Sequence, residues 1–390
     1  MERFDAVVVG GGLLGTAAAY YLARGGARTL LLEKGELNRQ ASGQNAGSLH
    51  FQLEYRMVEL GDAIAEQFAV PMPLFLEAQR TWATLERELG DAVEVHLGGG
   101  LMVAETREQR QVLERKSALE RRHGLETTVI TGDEARALAP YLSSVVQAAC
   151  WCPTEGHANP RLVGPAFAAA AVRHGATVRT RSRVVGLART NSGWRVALRD
   201  AEPVHADVVV VAAGLWTGEV TGMADAVLPI VPRALTMFAT ARTDPSIDHL
   251  VQHVGARLSL KQTGDGNVLV GGGWPARLRQ REGVVDVEQR PALRYESITG
   301  SAAVAARLVP SLRELQVLRV WSGVVGVTPD QVPLLGQLHG RPGLYVATGG
   351  AGFTLGPTLG RLLSELILSG RPSLALDLYD PVRYGHLIPV

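Results

Sequence analysis

The sequence predicts an α/β fold in which a domain built from βαβ units is interrupted by a second domain of different texture. Three observations carry that expectation. The first 33 residues spell strand, glycine turn, helix and strand. The run from Asp207 to Gly214 is almost wholly apolar and does not alternate, as suits a central strand buried on both faces. From residue 229 to about 318 the pattern changes to short strands separated by glycine turns.

Taken in order, Phe4 to Val9 is a β-rich run, and Leu13 to Arg24 has helix-forming composition without proline, stopped by Gly25 and Gly26. Thr29 to Leu32 is a second apolar run closed by Glu33. Residues 74–89 and 106–123 have helical periodicity with charged outer faces, and Thr131-Gly-Asp-Glu134 has the form of a capping box. Asn159 is placed to cap a helix that starts at Pro160 and runs toward His174. Strands are expected at 176–179, 184–188 and 194–198. Gly264-Asp-Gly266 reads as the hairpin turn between Leu258 to Gln262 and Val268 to Val270. Leu344 to Ala347 is a strand, followed by a glycine turn and a helix over 357–368. The expected division is 1–80 with 145–220 and 320–390 for the first domain, and 81–144 with 221–319 for the second.

Composition bounds the function. The 390 residues, 46% hydrophobic and 20% charged, exclude disorder and suffice for two or three domains. Lys and Arg total 39 against 38 Asp and Glu, so no global field attracts nucleic acid or an anionic membrane. Small molecules or proteins are the expected partners. No run approaches the roughly 18 apolar residues of a membrane span, and MERFDAVVVGGG lacks the order of a signal peptide. A cytoplasmic location is expected. Cys150 and Cys152 share one face of a strand, but two thiols fall short of a metal set, so they read as structural and no metal site is expected. Asp207 and Glu219 show no spacing logic and receive no role.

Gly10-Gly11-Gly12-Leu13-Leu14-Gly15 matches G-x-G-x-x-G between a strand and a helix. The first glycine permits the turn, the second lets backbone approach a pyrophosphate, and the third allows close helix–strand packing. Glu33 ends the next strand 18 residues after Gly15, where a carboxylate accepts hydrogen bonds from an adenosine ribose. An acid there disfavours a 2′-phosphate, despite the neighbouring Lys34. The segment Asn38 to Gly47 is rich in small residues and hydrogen-bonding side chains, suited to wrapping a long cofactor or to a surface loop.

These motifs resemble the FAD-dependent D-amino-acid oxidase, glycine oxidase and sarcosine oxidase superfamily. The resemblance extends to the Val208 to Gly214 strand with Trp216, and to Trp321-Ser-Gly323, Thr328-Pro-Asp330, Pro333, Gly336 and Gly349-Gly-Ala-Gly-Phe-Thr-Leu-Gly356. It implies a Rossmann-like FAD-binding domain of the glutathione-reductase type, with a discontinuous α+β substrate domain whose mixed sheet roofs the flavin. It gives Gly10, Gly12, Leu13, Leu14 and Gly15 to the pyrophosphate turn, and Glu33 and Lys34 to the ribose end. Gln40, Ala41, Ser42, Gly43, Asn45, Ala46 and Gly47 fall on the phosphate and flavin side. Val184 is placed as a backbone contact to adenine, and Ala213, Gly214 and Trp216 where the central strand touches the cofactor. Gly349, Gly352, Phe353 and Thr354 precede a helix whose positive end would stabilise charge on the reduced flavin.

Two departures stand out. Where relatives carry an Arg that grips the substrate carboxylate, this chain has Val325. Where monomeric sarcosine oxidases carry a Lys near the flavin, it has Leu269. Ser48-Leu-His-Phe-Gln52 and Leu260-Lys-Gln-Thr263 are similar to the FAD-bearing β subunits of heteromeric opine oxidases, D-hydroxyproline dehydrogenases and hydrogen cyanide synthases. No catalytic residue is firmly assigned, and His50 and Lys261 are the substrate-face candidates, each otherwise a polar residue at a strand end. The loop at Gln44-Asn45 has no His, and the C-terminal block has no Cys, so the resemblance implies noncovalent FAD. The implied reaction is oxidation of the C–N bond of an amine, imino acid or opine by hydride transfer to flavin N5. The chain would be the catalytic β subunit of a heteromeric dehydrogenase, with a partner subunit accepting electrons, since its length leaves little for an acceptor module. The alternatives are a stand-alone D-amino-acid, glycine or sarcosine-type oxidase producing peroxide, and a noncatalytic flavin-binding partner protein.

Overall fold

A computed structural model describes residues 2–54, 58 and 61–387; Met1 and Val390, the ends of the expected first domain, lie outside the described residues. The valine-rich strand Arg3–Val9 pairs in parallel with Thr29–Leu32 on one side and Val204–Val211 on the other. Thr177–Arg179 extends the sheet beyond the first neighbour, and Leu344–Thr348 and Leu334–Gln337 beyond the second. An antiparallel pair, Gly193–Leu198 with Val184–Thr190, completes eight strands along the start of Val204–Val211. Thus the apolar run near residue 210 is the buried inner strand that its composition requires.

Parallel neighbours need crossovers, and the helices Leu13–Arg24, Pro160–Arg173 and Gly356–Ser369 gather over the sheet face bearing Ala6, Val8 and Leu31. Small residues let them approach: a Cβ on Gly360 would lie 2.7 Å from that of Ala17. Each large side chain buried there, such as Leu22 or Phe167, contributes about 1.5–3 kcal/mol. The opposite face, with Val7, Val9, Leu30 and Leu32, buries Trp194 and Leu187. The caps read from sequence are present. Asn159 accepts from the Arg161 amide at 3.0 Å, and Thr131 with Glu134 forms the reciprocal box.

The second sheet runs Val317–Val327, Val231–Arg242, Asn267–Gly271, Ser259–Gln262, Leu250–His253, Gly100–Ala104, Ala148–Cys152, Thr128–Thr131. Leu250–His253 and Gly100–Ala104 pair in parallel and the other neighbours antiparallel, giving a mixed sheet. The helix Tyr295–Leu308 packs Ala305 and Leu308 against Phe238, Leu260 and Val268. The Gly264–Gly266 turn is in place between its strands, with Gly266 at φ +89°. Ala148–Cys152 and Val317–Val327 hydrogen-bond into this second sheet, although the sequence boundaries group the former and residues 320–327 of the latter with the first domain. Their membership is decided by pairing with Gly100–Ala104 and Val231–Arg242, non-local partners that a local pattern does not reveal. Both cysteines are free and buried. Among the described residues no helix is long and apolar enough to cross a membrane.

Candidate active site

The turn after Arg3–Val9 admits no side chain at two places. Gly10 has φ +117° and a Cβ there would lie 2.4 Å from Ala212 O; at Gly15 it would lie 1.9 Å from Gly10 O. Gly12 lines the cavity, and the nearest atom to its would-be Cβ is a side-chain one, Ser42 Oγ at 2.9 Å. Glu33 braces the turn by accepting from the Gly11 amide at 2.7 Å and the Gly35 amide at 2.8 Å. Ser42 Oγ accepts from the Leu13 amide at 3.0 Å, tying the next loop to the first turn of the helix.

That loop contains a short helix, Ala41–Gln44. Asn45 fixes its exit, donating to Ala41 O and Ser42 O and accepting from the Gly47 amide at 2.6 Å. From the second sheet, Trp321 Nε1 donates to Gln44 O at 2.8 Å. The turn at Gly349–Thr354 is held by Trp82, whose Nε1 donates to Thr354 O at 2.7 Å and whose ring lies 5.3 Å from that of Phe353. It delivers the chain to the N-terminus of Gly356–Ser369.

These segments border one cavity of about 920 Å³. Every site residue expected from the sequence lines it except Leu13, Gly15, Gly43 and Lys261. Leu13 contributes its amide while its side chain packs against Gly356. Gly15 and Gly43 permit close approach of backbone, a Cβ on Gly43 falling 1.9 Å from Asn38 O. Lys261, expected at the substrate face, lies behind Gly47 instead, its Nζ 3.1 Å from where that residue's Cβ would be. The side chain is 1% exposed and Nζ has no hydrogen-bond partner among the described residues, and burial holds its pKa well below the ordinary range.

At the Glu33 end, Lys34 Nζ lies 3.5 Å from the centroid of the Trp216 ring and 2.7 Å from Glu288. Trp216 Nε1 donates to the same carboxylate at 2.9 Å. Arg183 pairs with Glu219 at 2.9 Å, so Glu219, given no role from sequence, lines this end of the cavity. Glu288 and Arg183 were illegible because tertiary contact alone brings them here.

The other end has apolar walls, including Phe68, Met72, Phe75, Met102 and Met237. Polar groups are few. His50 Nε2 is 3.2 Å from Ser259 Oγ, its Nδ1 has no hydrogen-bond partner among the described residues, and burial lowers its pKa. Gln52 is held by a buried network: its Oε1 accepts from Lys116 at 2.8 Å and its Nε2 donates to Glu155 at 2.8 Å. Glu155 also accepts the Phe51 and Gln52 amides, while Lys116 pairs with Glu120 at 2.6 Å. Sequence reasoning missed this network, since Lys116 and Glu120 look like an ordinary helix-surface pair.

The chain matches the family model described as FAD dependent oxidoreductase (DAO) over residues 5–366. It is similar to mitochondrial dimethylglycine dehydrogenase of Mus musculus, 26% identical over 98% of this chain and 44% of that one. The chain thus spans less than half the length of the mitochondrial dimethylglycine dehydrogenases it matches. One subunit of the opine oxidase of Rhizobium meliloti is 24% identical over 98% of each chain. Glycine oxidase of Geobacillus kaustophilus is 26% identical over 97% of this chain and 96% of the oxidase. The crystal structure of that oxidase gives a TM-score of 0.85 at 24% identity, covering 97% of this chain and 98% of the other. A glycine turn braced by Glu33, a second glycine turn before the last helix and a match across nearly the whole length agree: this chain belongs to the FAD-dependent oxidoreductase (DAO) family.

Proposed function

We propose that this chain oxidises the C–N bond of an amine, imino acid or opine as the catalytic subunit of a heteromeric dehydrogenase. The observation that carries the reading is one continuous cavity running from the Gly10–Glu33 turn to an apolar chamber with few polar groups. The residues fit FAD held noncovalently. Gly12, on the cavity wall without a side chain, would let backbone approach a pyrophosphate, Glu33 would offer its carboxylate to ribose hydroxyls, and the Gly349–Thr354 turn would direct a helix N-terminus at the flavin. Two buried nitrogens have no hydrogen-bond partner among the described residues, His50 Nδ1 on the cavity wall and Lys261 Nζ against Gly47. We assign the FAD-binding domain to the first sheet with its helices and the substrate domain to the second.

What FAD supplies when bound is a two-electron acceptor for the C–H bond beside the substrate nitrogen. The protein's part is positioning. Phe68, Met72 and Phe75 exclude water from the chamber, and His50, kept neutral by burial, offers a hydrogen bond without adding charge. The heteromeric assignment is supported by the end-to-end similarity to one chain of an opine oxidase. We place the protein in the cytoplasm, in keeping with its two free, buried cysteines. Turnover of an amine panel with an artificial acceptor, without matching oxygen uptake, is the expected result. Turnover that depends on oxygen alone contradicts the dehydrogenase assignment.

One observation favours a stand-alone oxidase as the second reading. Lys261 is the direct cross-strand partner of Leu269, so its side chain shares that sheet face, and its buried amine takes the place of the missing lysine from the next strand. Under that reading Lys261→Met lowers oxygen uptake roughly tenfold or more while transfer to an artificial acceptor persists. Equal loss of both rates contradicts it.

A further inference from the structure

Arg233 and Val325 are direct partners across the antiparallel strands Val231–Arg242 and Val317–Val327. Residues so paired share one face of the sheet, and both line the cavity. Arg257, from the loop before Ser259–Gln262, lines it as well. Beyond these two arginines opens an adjoining cleft of about 490 Å³, bordered by Arg233, Arg257, Arg277 and Arg294.

One of these four arginines has an acidic partner among the described residues. Arg294 lies 3.8 Å from Glu296. Among the described residues, the guanidinium groups of Arg233, Arg257 and Arg277 have no ion-pair partner, in a chain whose basic and acidic totals differ by one. Unpaired guanidinium groups grouped at the mouth of an apolar chamber focus a positive potential into it. Their planar donors match a carboxylate better than any neutral group.

We propose that Arg233 and Arg257 bind the carboxylate of the substrate, from the strand and loop beside Val325. The substrate is then an anion, an amino acid or N-substituted amino acid rather than a simple amine. This rests on the amine-oxidation reading for the word substrate, while the anion site itself does not.

The test is a titration of the purified flavoprotein with pyrrole-2-carboxylate and with pyrrole-2-carboxamide, followed by perturbation of the flavin spectrum. Wild-type protein is expected to bind the carboxylate at least about tenfold more tightly than the amide. Arg233→Gln and Arg257→Gln are each expected to weaken the carboxylate by about 10- to 100-fold, with much smaller effects on the amide. Arg233→Lys, which keeps the charge but loses the fork, falls between. If Arg233→Gln does not fold, the loop variant Arg257→Gln carries the test. Equal affinity of wild-type protein for the two probes, or wild-type carboxylate affinity in both Gln variants, overturns the proposal. Arginine-dependent carboxylate binding in a protein whose flavin no amine reduces keeps the anion site and removes the oxidation reading.

Discussion

Glu33 accepts the Gly11 amide at 2.7 Å and the Gly35 amide at 2.8 Å, so one carboxylate ties the glycine turn to the turn that follows Glu33 itself. Glu33→Ala removes both acceptors together with the proposed ribose contact. It is expected to lose about 2 kcal/mol of stability and most of its flavin, whereas Glu33→Gln, which retains an acceptor, loses less. Denaturant unfolding and the flavin-to-protein ratio measure the two effects. Full flavin occupancy in Glu33→Ala argues against the ribose contact.

Gly10→Ala and Gly12→Ala should fail differently. At Gly10 the positive φ and the Ala212 carbonyl 2.4 Å away leave the backbone no room, so the variant is expected to express poorly or unfold early. At Gly12 the obstacle is Ser42 Oγ, a side-chain atom that can rotate. That variant is expected to fold and purify largely without flavin; circular dichroism and absorbance distinguish the cases, and a flavin-replete Gly12→Ala protein contradicts the pyrophosphate assignment.

Lys116 and Glu120 are both fully buried and 2.6 Å apart, and Lys116 also holds Gln52 on the cavity wall. Removing one partner leaves the other charge uncompensated, so Lys116→Met is expected to cost about 3–5 kcal/mol. It should also raise KM by freeing Gln52. Unfolding curves test the first part and steady-state kinetics the second; a loss below about 1 kcal/mol would show that the pair is not coupled as described.

Burial depresses two histidines, His157 to about 3 and His253 to about 4, with Lys261 adding repulsion at the first and Arg307 at the second. In the unfolded chain each titrates near 6.5. The unfolded state therefore binds protons that the folded state refuses. Stability from these groups is complete above about pH 6.5 and is lost as pH falls toward 4, by up to about 1.4 kcal/mol per pH unit for each. The thermal midpoint should drop between pH 7 and 5, and His253→Gln should flatten that slope. An unchanged slope in the variant contradicts the assignment.

Local pattern made the first sheet readable. The Gly10 turn, Glu33 and the unalternated run near residue 210 obey spacing rules that hold within a few residues, and the helix caps at Asn159 and Thr131 do as well. The second sheet was less legible because its edges depend on partners far along the chain. Val317–Val327 pairs with a strand some eighty residues earlier, so nothing near Trp321 announces the sheet it joins. The same limit hid the charges. Val325 and Leu269 look like gaps when the chain is read along itself; across the strands each is paired with a basic residue, Arg233 and Lys261 respectively. Lys34 was legible as a neighbour of Glu33, but its place over Trp216 and beside Glu288 was not.

In the proposed reaction, the cavity between the two glycine turns brings an amine substrate to a flavin held by this chain. The decisive measurement is flavin absorbance during anaerobic addition of amines, imino acids and opines to the purified yellow protein. Full bleaching by at least one carboxylate-bearing member, absent in the flavin-depleted Gly12→Ala protein, is the expected result. A flavin that is present in full yet stays oxidised with every member of the panel would contradict it.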